Sequence, residues 1–412
     1  MEELEERAKK LAEENRGVKK VALAYSGGMD SAVIGALLQS AGFSVIPIVV
    51  NLGQQSDFAR IQKNAKQMFG SCIVVDARLQ LADNCARGIK ANCNFFGHVN
   101  MGGISRPAMA RAVCEEARKN GCSAIAHGAS GTGNDHLTME NSLRVLAPDM
   151  RIMAVVRDLD LKRDEALSYA KKKKLATNLE RAVKFSADEN LWARAIRQGA
   201  TLDTEAPLPE DAYKWTVSPK MAPDKAAEVE VEFENGVPAA AYINGKKHAG
   251  MLAILPALNE TGGKHGVGRL DALDDKVVGL KVREIFECPS ALILLAAHRE
   301  LERLTLTTKE LSAKRTVDAA WNQLVHDGGW YTRLRRFLDA FIDESQRPVD
   351  GIVSLQLYKG SIIVKGRKSR NALYDKRLSA RDTHGVFSQK EARQFAKLYG
   401  LQDVIAYMID GN

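Results

Sequence analysis

The stretch Val21-Ala22-Leu23-Ala24-Tyr25-Ser26-Gly27-Gly28-Met29-Asp30-Ser31 decides the fold of this chain. It opens as an apolar strand (20–25, KVALAY), passes two glycines and runs directly into an apolar helical pattern (31–40, SAVIGALLQS). A buried strand turning into a helix is the βα junction of a parallel sheet. Paired glycines let the backbone approach an anion closely and take positive φ. The loop N–H groups and the helix N-terminus then suit a polyphosphate. Ser26 and Ser31 add hydroxyl donors, and Asp30 offers the carboxylate that Mg²⁺ favours beside phosphate oxygens.

Outward from this loop, strand and helix signals alternate. Strands are expected at 44–50, 72–76, 123–127 and 152–156, and helices at 55–68 and 106–119. The fold class is therefore α/β, with helices on both faces of a parallel sheet and ligands at the strand carboxyl ends. After about residue 190 the pattern changes. Residues 203–226 are polar and carry four prolines, which reads as a linker. Alternating strands at 228–234 and 238–243, a hairpin at 351–358 and 361–365, one long helix over 290–325 and a last helix at 389–409 make the second half α+β.

Composition narrows the function classes. The 412 residues carry 59 Lys+Arg against 51 Asp+Glu, a net charge of +8, with 45% hydrophobic residues. That excludes a disordered, collagen-like or disulfide-stapled chain. No apolar run approaches the roughly 18 residues of a membrane span. The first residues, MEELEERAKKLAEENRG, form a charged helical pattern with no apolar segment, so no signal peptide is expected. The cysteines at 72, 85, 93, 114, 122 and 288 form no CxxC, which points to free thiols in a reducing cytoplasm. The charge excess suits ATP and acidic substrates. Without a basic–aromatic patch, a nucleic-acid partner is not expected, and neither is a membrane.

The SGGMDS loop is neither a Walker A sequence nor a Rossmann fingerprint. It resembles the pyrophosphate loop of ATP pyrophosphatases, which cleave ATP between the α- and β-phosphates and adenylate a substrate oxygen. That class includes C–N ligases and tRNA thiolases, so a sulfur-transfer enzyme remains an alternative, with Cys85 and Cys93 as the nearest cysteine pair. A second glycine loop, HGASGTGND (127–135), follows the 123–127 strand. Asn134 can donate and accept hydrogen bonds, and Asp135 can hold an ammonium or act as a base. Both are also ordinary turn residues.

With AYSGGMDSAV (24–33), NLGQ (51–54), SRP (105–107), SADENLW (186–192), LNETGGKHGVGRLD (258–271) and LYKGSIIVKGRKS (357–369), the chain resembles the argininosuccinate synthase family along nearly its whole length. The resemblance implies a nucleotide-binding domain over 1–185, a synthetase domain over 186–385, an assembly helix over 386–412, and a homotetramer. It implies that ATP is split to AMP and pyrophosphate while citrulline and aspartate are joined. Ala24, Tyr25, Ser26, Gly27, Gly28, Met29, Asp30, Ser31, Val50 and Gly128 would hold ATP, with Mg²⁺ on Asp30. Ser130, Asn134, Asp135 and Gly102 fall at the aspartate positions, and Asp30, Asn134 and Asp135 are the catalytic candidates.

The acceptor side departs from the family pattern. The family Tyr falls on His98, the Arg on Thr138, a Ser on Ala195, the Glu on Asp274 and a second Tyr on Phe286, while Ser186 is kept. The family Thr of the GTS-type segment falls on Gly102 and the Lys of the second glycine loop on Thr132. An Arg forking onto a carboxylate contributes roughly 1.5–3 kcal/mol, and Thr cannot replace it. These changes imply an acceptor other than citrulline unless residues such as Arg106 or Lys281 compensate.

Overall fold

The structure is a computed structural model that describes residues 2–175, 186–197, 199–379, 387 and 389–411. Helix α1 (Glu2–Glu14) precedes strand β1 (Lys20–Ala24), α2 (Met29–Ser40), β2 (Ser44–Asn51), α3 (Phe58–Phe69) and β3 (Ile73–Asp76). Then come α4 (Arg78–Lys90), α5 (Met101–Lys119), β4 (Ala124–His127), α6 (Asp135–Leu146), β5 (Arg151–Ala154), α7 (Val155–Asp158) and α8 (Arg163–Lys172). The five strands form one parallel sheet in the order β3-β2-β1-β4-β5. The chain winds outward from β1 to β3 and then restarts at β4, so β1 and β4 are neighbours, with Leu23 opposite Ala126. The carboxyl ends of these two strands are the topological switch point where ligands of such sheets sit. Helix α4 and the early start of α5 add to the expected elements. In α4, Leu81, Cys85 and Ile89 form a fully buried stripe at four-residue spacing. Charged as it is, α1 buries Leu4, Ala8 and Leu11 in the same core as α2.

The second half contains β6 (Ser186–Glu189), β7 (Arg194–Arg197), β8 (Ala227–Glu234), β9 (Val237–Ile243), β10 (Lys246–Ala249), α9 (Met251–Lys264), β11 (Arg269–Asp275) and β12 (Lys281–Glu287). It continues with α10 (Pro289–Thr305), α11 (Thr308–His326), α12 (Arg333–Ser345), β13 (Gly351–Tyr358), β14 (Ser361–Lys368), α13 (Gln389–Tyr399) and α14 (Leu401–Ile409). Two antiparallel sheets result, β10-β9-β8-β13-β14 and β11-β12-β7-β6. The helix expected over 290–325 is two helices. Thr307 accepts from Glu310 N while the Glu310 carboxylate returns to Thr307 N, a capping box that starts α11 afresh. The last helix is likewise divided at Gly400.

The proline-rich 203–226 stretch is not a free linker. The buried Glu287 carboxylate accepts from the backbone N–H groups of Lys214, Trp215 and Thr216, and it pairs with the buried Arg194. Short 3₁₀ turns at Glu210–Ala212 and Pro219–Met221 lie along this segment, and another at Gly199–Leu202 precedes it. The expected boundary after residue 185 adjoins residues 176–185, and that at 385/386 lies wholly outside the described residues.

Candidate functional site

At the β1 end, Gly27 takes φ +77°, the left-handed conformation that suits glycine. Ser26 Oγ accepts from Gly28 N at 3.2 Å and lies 3.2 Å from Ser31 Oγ, which itself donates to Gly28 O. The loop is thus closed on itself by its two serines. Ser26, Gly28 and Asp30 are exposed, with Asp30 in the first turn of α2. Gly128, on the neighbouring β4 edge, is exposed as well. The other expected nucleotide residues are placed differently. The side chains of Tyr25, Met29 and Val50 are buried in the core, and Ala24 is half-buried. Tyr25 packs edge-on against Phe69.

Next to this edge lies a small polar cavity, about 40 Å³ open to the centre of a water-sized sphere. His98, Gly102, Asn134 and Asp135 bound it on one side, with Thr138 behind them. Asp274 and Phe286 come from β11 and β12 on the other. Three expected residues are not part of it. Ser130 is exposed in the loop and bonds Thr132. Ser186 is exposed at the outer end of β6. Ala195 is fully buried opposite Phe286 in the β7–β12 ladder and does not itself line the cavity.

The cavity wall is a network of ions. Asp135, in the first turn of α6, accepts from Arg106 Nε and Nη2 at 3.1 and 2.9 Å and from Arg197 Nη1 at 3.1 Å. Asp188 lies 2.8 Å from Arg106, and Glu284 lies 2.7 Å from Arg197. Burial pushes the Asp135 carboxyl up, but the two guanidiniums outweigh it and hold it well below the usual carboxylate range. Asp135 is therefore ionised and engaged at neutral pH, and a role as base or ammonium holder requires its contacts with Arg106 and Arg197 to rearrange. Neither cation proposed as a substitute for the lost Arg is free: Arg106 is paired twice, and Lys281 is exposed on Asp275. Thr138 is buried, bonds the backbone of its own helix at Asn134 and Asp135, and has Gly328 packed on its Cα.

Sequence reasoning missed four residues of this site. Lys276, from the β11–β12 turn, reaches back to Asp274 at 2.5 Å and Glu284 at 2.7 Å. His326, at the end of α11, stacks on Phe95 with ring centroids 3.8 Å apart. Arg197 and Glu284 complete the set. Arg197 lies two residues beyond Ala195, one strand alternation further, and that spacing was the available signal. His98 Nε2 and His326 Nε2 each lie 3.3 Å from Asp274 Oδ1. Burial raises the Asp274 carboxyl, but hydrogen bonds from both histidines and the Lys276 charge hold it well below the carboxylate range. Burial pulls the His326 pKa down, and its hydrogen bonds to Asp274 and Asp327 outweigh this, so the net shift is upward. His98 sits on a strained segment: Asn92, Phe96 and Asn100 all have φ near +45° without being glycine.

The thiols do not enter the site. All six cysteines are free and buried. Cys93 donates to Val99 O, and burial pushes its thiol up to about 12 and that of Cys85 well above its ordinary value. A thiol relay needs an accessible, low-pKa thiolate, so the sulfur-transfer alternative has no nucleophile here. No helix among the described residues is long and apolar enough to cross a membrane.

Comparison with known proteins agrees with the geometry. Residues 20–176 match the family model described as the arginosuccinate synthase N-terminal HUP domain, and residues 185–406 that of the arginosuccinate synthase C-terminal domain. The chain is 40% identical over 393 residues to the argininosuccinate synthase of Pyrococcus furiosus, covering 94% of each chain. It is 40% identical to that of Methanopyrus kandleri, covering 94% of this chain and 99% of the relative. For that of Archaeoglobus fulgidus the identity is 41%, over 93% and 97%. A pyrophosphate-type loop at the switch point, a polar cavity beside it and this agreement along both halves establish the chain as an ATP-dependent, C–N bond-forming ligase belonging to the argininosuccinate synthase family.

Proposed function

We propose that the protein adenylates the oxygen of a ureido or carbonyl acceptor other than citrulline and condenses it with the amine of aspartate. The observation that carries this reading is the cavity wall: every guanidinium on it is neutralised by a carboxylate of the chain, and Thr138 stands where the family places its Arg. An α-carboxylate entering this cavity meets no unpaired cation among the described residues.

The loop of Ser26, Gly27 and Gly28, exposed at Ser26 and Gly28, supports ATP binding by backbone N–H donors together with the N-terminus of α2. The exposed Asp30 carboxylate beside that anion site fits Mg²⁺, which supplies charge neutralisation of the phosphates when bound. The acceptor oxygen attacks the α-phosphorus and pyrophosphate leaves. The aspartate amine then attacks the activated carbon, and AMP leaves in place of a poor oxygen leaving group. Holding both substrates at one edge removes much of the entropic barrier. Ser130 and Asn134 offer hydroxyl and amide contacts to aspartate. Asp135 acts as a positioning residue that fixes Arg106 and Arg197.

Several further features belong to the same reading. The division into a nucleotide-binding unit over 1–185, a synthetase unit over 186–385 and a tail over 386–412 follows the change of sheet type. Exposed Phe395, Leu398, Val404 and Ile405 on α13 and α14 favour burial in a homotetramer, and six free thiols favour a reducing cytoplasm. Pyrophosphate release from ATP and aspartate tests the function, with citrulline run against a panel of ureido, amide and carboxylate acceptors. Turnover with another acceptor and none with citrulline supports it. Efficient turnover with citrulline overturns the acceptor reading.

A further inference from the structure

The cluster of His98, Asp274 and His326 lies in the cavity beside the phosphate edge. The three are buried, and one ligand atom from each falls within 4.8 Å of the others. We propose that they form a binding site for one divalent transition ion, Zn²⁺ or a close relative, with an open position toward the cavity. No activity described above requires such an ion.

The donor set is two imidazoles and one carboxylate, the type of set that holds Zn²⁺ and leaves a position for a further ligand. The spacing fits. A tetrahedral ion with arms of about 2.0–2.1 Å has ligand atoms about 3.3–3.4 Å apart, and both imidazole Nε2 atoms lie 3.3 Å from Asp274 Oδ1.

The hydrogen bonds around His326 call for a cation. Its Nδ1 faces the Asp327 carboxylate at 3.0 Å, so Nδ1 carries a proton. Asn134 Oδ1 accepts from Val277 N at 2.9 Å, which fixes that amide and aims its NH₂ at His326 Nε2, 2.7 Å away. Two groups compete for Nε2: when protonated it donates to Asp274 Oδ1, 3.3 Å away, but points into the Asn134 NH₂; when unprotonated it accepts from Asn134 and sets its lone pair against those of Asp274 Oδ1. An ion between Nε2 and Oδ1 turns the opposition into two coordinate bonds. The Asp327–His326 contact is then the outer-shell carboxylate that orients a ligating histidine.

Two contacts give way. Asn134 releases His326 Nε2, and the proton of His98 moves from Nε2 to Nδ1 at the expense of the 3.2 Å contact from Asn100 N. Three coordinate bonds replace them. The open position faces the space between Gly102, Gly133 and Thr138, where an oxygen donor of the acceptor would complete the coordination. That last role rests on the acceptor reading above; the binding itself does not.

The test uses untagged full-length protein, stripped with EDTA and titrated with Zn²⁺ and Co²⁺ without ATP or substrates. One ion per chain retained after gel filtration, and the visible d–d absorption of Co²⁺ in a low-symmetry site, are the expected results. His98→Gln and His326→Gln should abolish the spectrum. Asp327→Asn, at a half-exposed residue outside the ligand set, should weaken binding roughly 10–100-fold. Thermal melts of the metal-free variants identify any loss due to misfolding, in which case Asp327→Asn decides. No retained ion, or equal binding in the folded variants, overturns the proposal. Pyrophosphate release is measured separately, so failure of the site and failure of the ligase reading are distinguishable.

Discussion

Replacing Asp135 with Asn probes the ion network that closes the cavity. The carboxylate accepts three hydrogen bonds from two guanidiniums. Asn keeps the shape but removes the charge and turns one acceptor into an NH₂ facing N–H donors. Removing one partner of a buried ion pair costs about 3–5 kcal/mol. Asp188 stays within 2.8 Å of Arg106 and 3.4 Å of Arg197, but its side chain is 42% exposed, so it compensates only in part. A net loss of about 2–3 kcal/mol follows. In a cooperative unit of roughly 150–250 residues each kcal/mol lowers Tm by about 2–4 °C, so the variant should melt about 5–10 °C lower. The pH dependence has a definite sign. Asp135 is depressed in the folded state, so its contribution is fully present above the unfolded value of about 3.9 and is lost as pH falls through the lower folded value. Melts of parent and variant from pH 8 down to 3 should show a constant gap to about pH 5 that narrows only below about pH 4. Equal melting, or a gap that closes between pH 8 and 5, would refute the assignment of Asp135 as an ion-pair anchor.

Asp30→Ala should reduce pyrophosphate release at least about 100-fold while leaving the circular dichroism spectrum unchanged, since Asp30 is exposed; wild-type turnover would mean the loop does not act on ATP. Cys85→Ala and Cys93→Ala should keep pyrophosphate release within a few-fold, because neither thiol reaches the cavity; loss of activity in a correctly folded variant would restore the sulfur-relay alternative. Gly103→Ala should destabilise by about 1–3 kcal/mol in urea titrations, since its Cβ would stand 2.7 Å from Val325 O and 2.5 Å from Asn100 Oδ1; a neutral result would mean that the contact of α5 with the end of α11 is loose.

The parts of the fold readable from sequence are those built locally. The β1–loop–α2 junction is encoded by adjacent residues, and the parallel sheet by alternation of short apolar runs with amphipathic helices. Helix α9 escaped notice because Pro256 interrupts its pattern. The break between α10 and α11 was written in the sequence, as Thr307 and Glu310 at capping-box spacing, but the apolar periodicity on either side concealed it. In the site, His98 and Asp274 were found by position in a shared pattern. Lys276, Glu284 and His326 were not, because their meaning lies in pairing. Asp274 and His98 are 176 residues apart, and no local period connects them. Asp135 was identified as a site residue, but its ion pairs were not legible, since the two arginines arrive from α5 and β7.

The cavity draws one wall from residues 98–138 and the other from residues 197–326. Neither half of the chain completes this cavity alone, so whatever occupies it acts as a bolt between them. By linkage, an occupant at 100 times its Kd adds about 2.7 kcal/mol to the docked state, all of it at the seam. In calorimetry, a saturating acceptor should therefore draw the melting of the two halves toward a single event, and in limited proteolysis it should protect the seam before it protects either sheet.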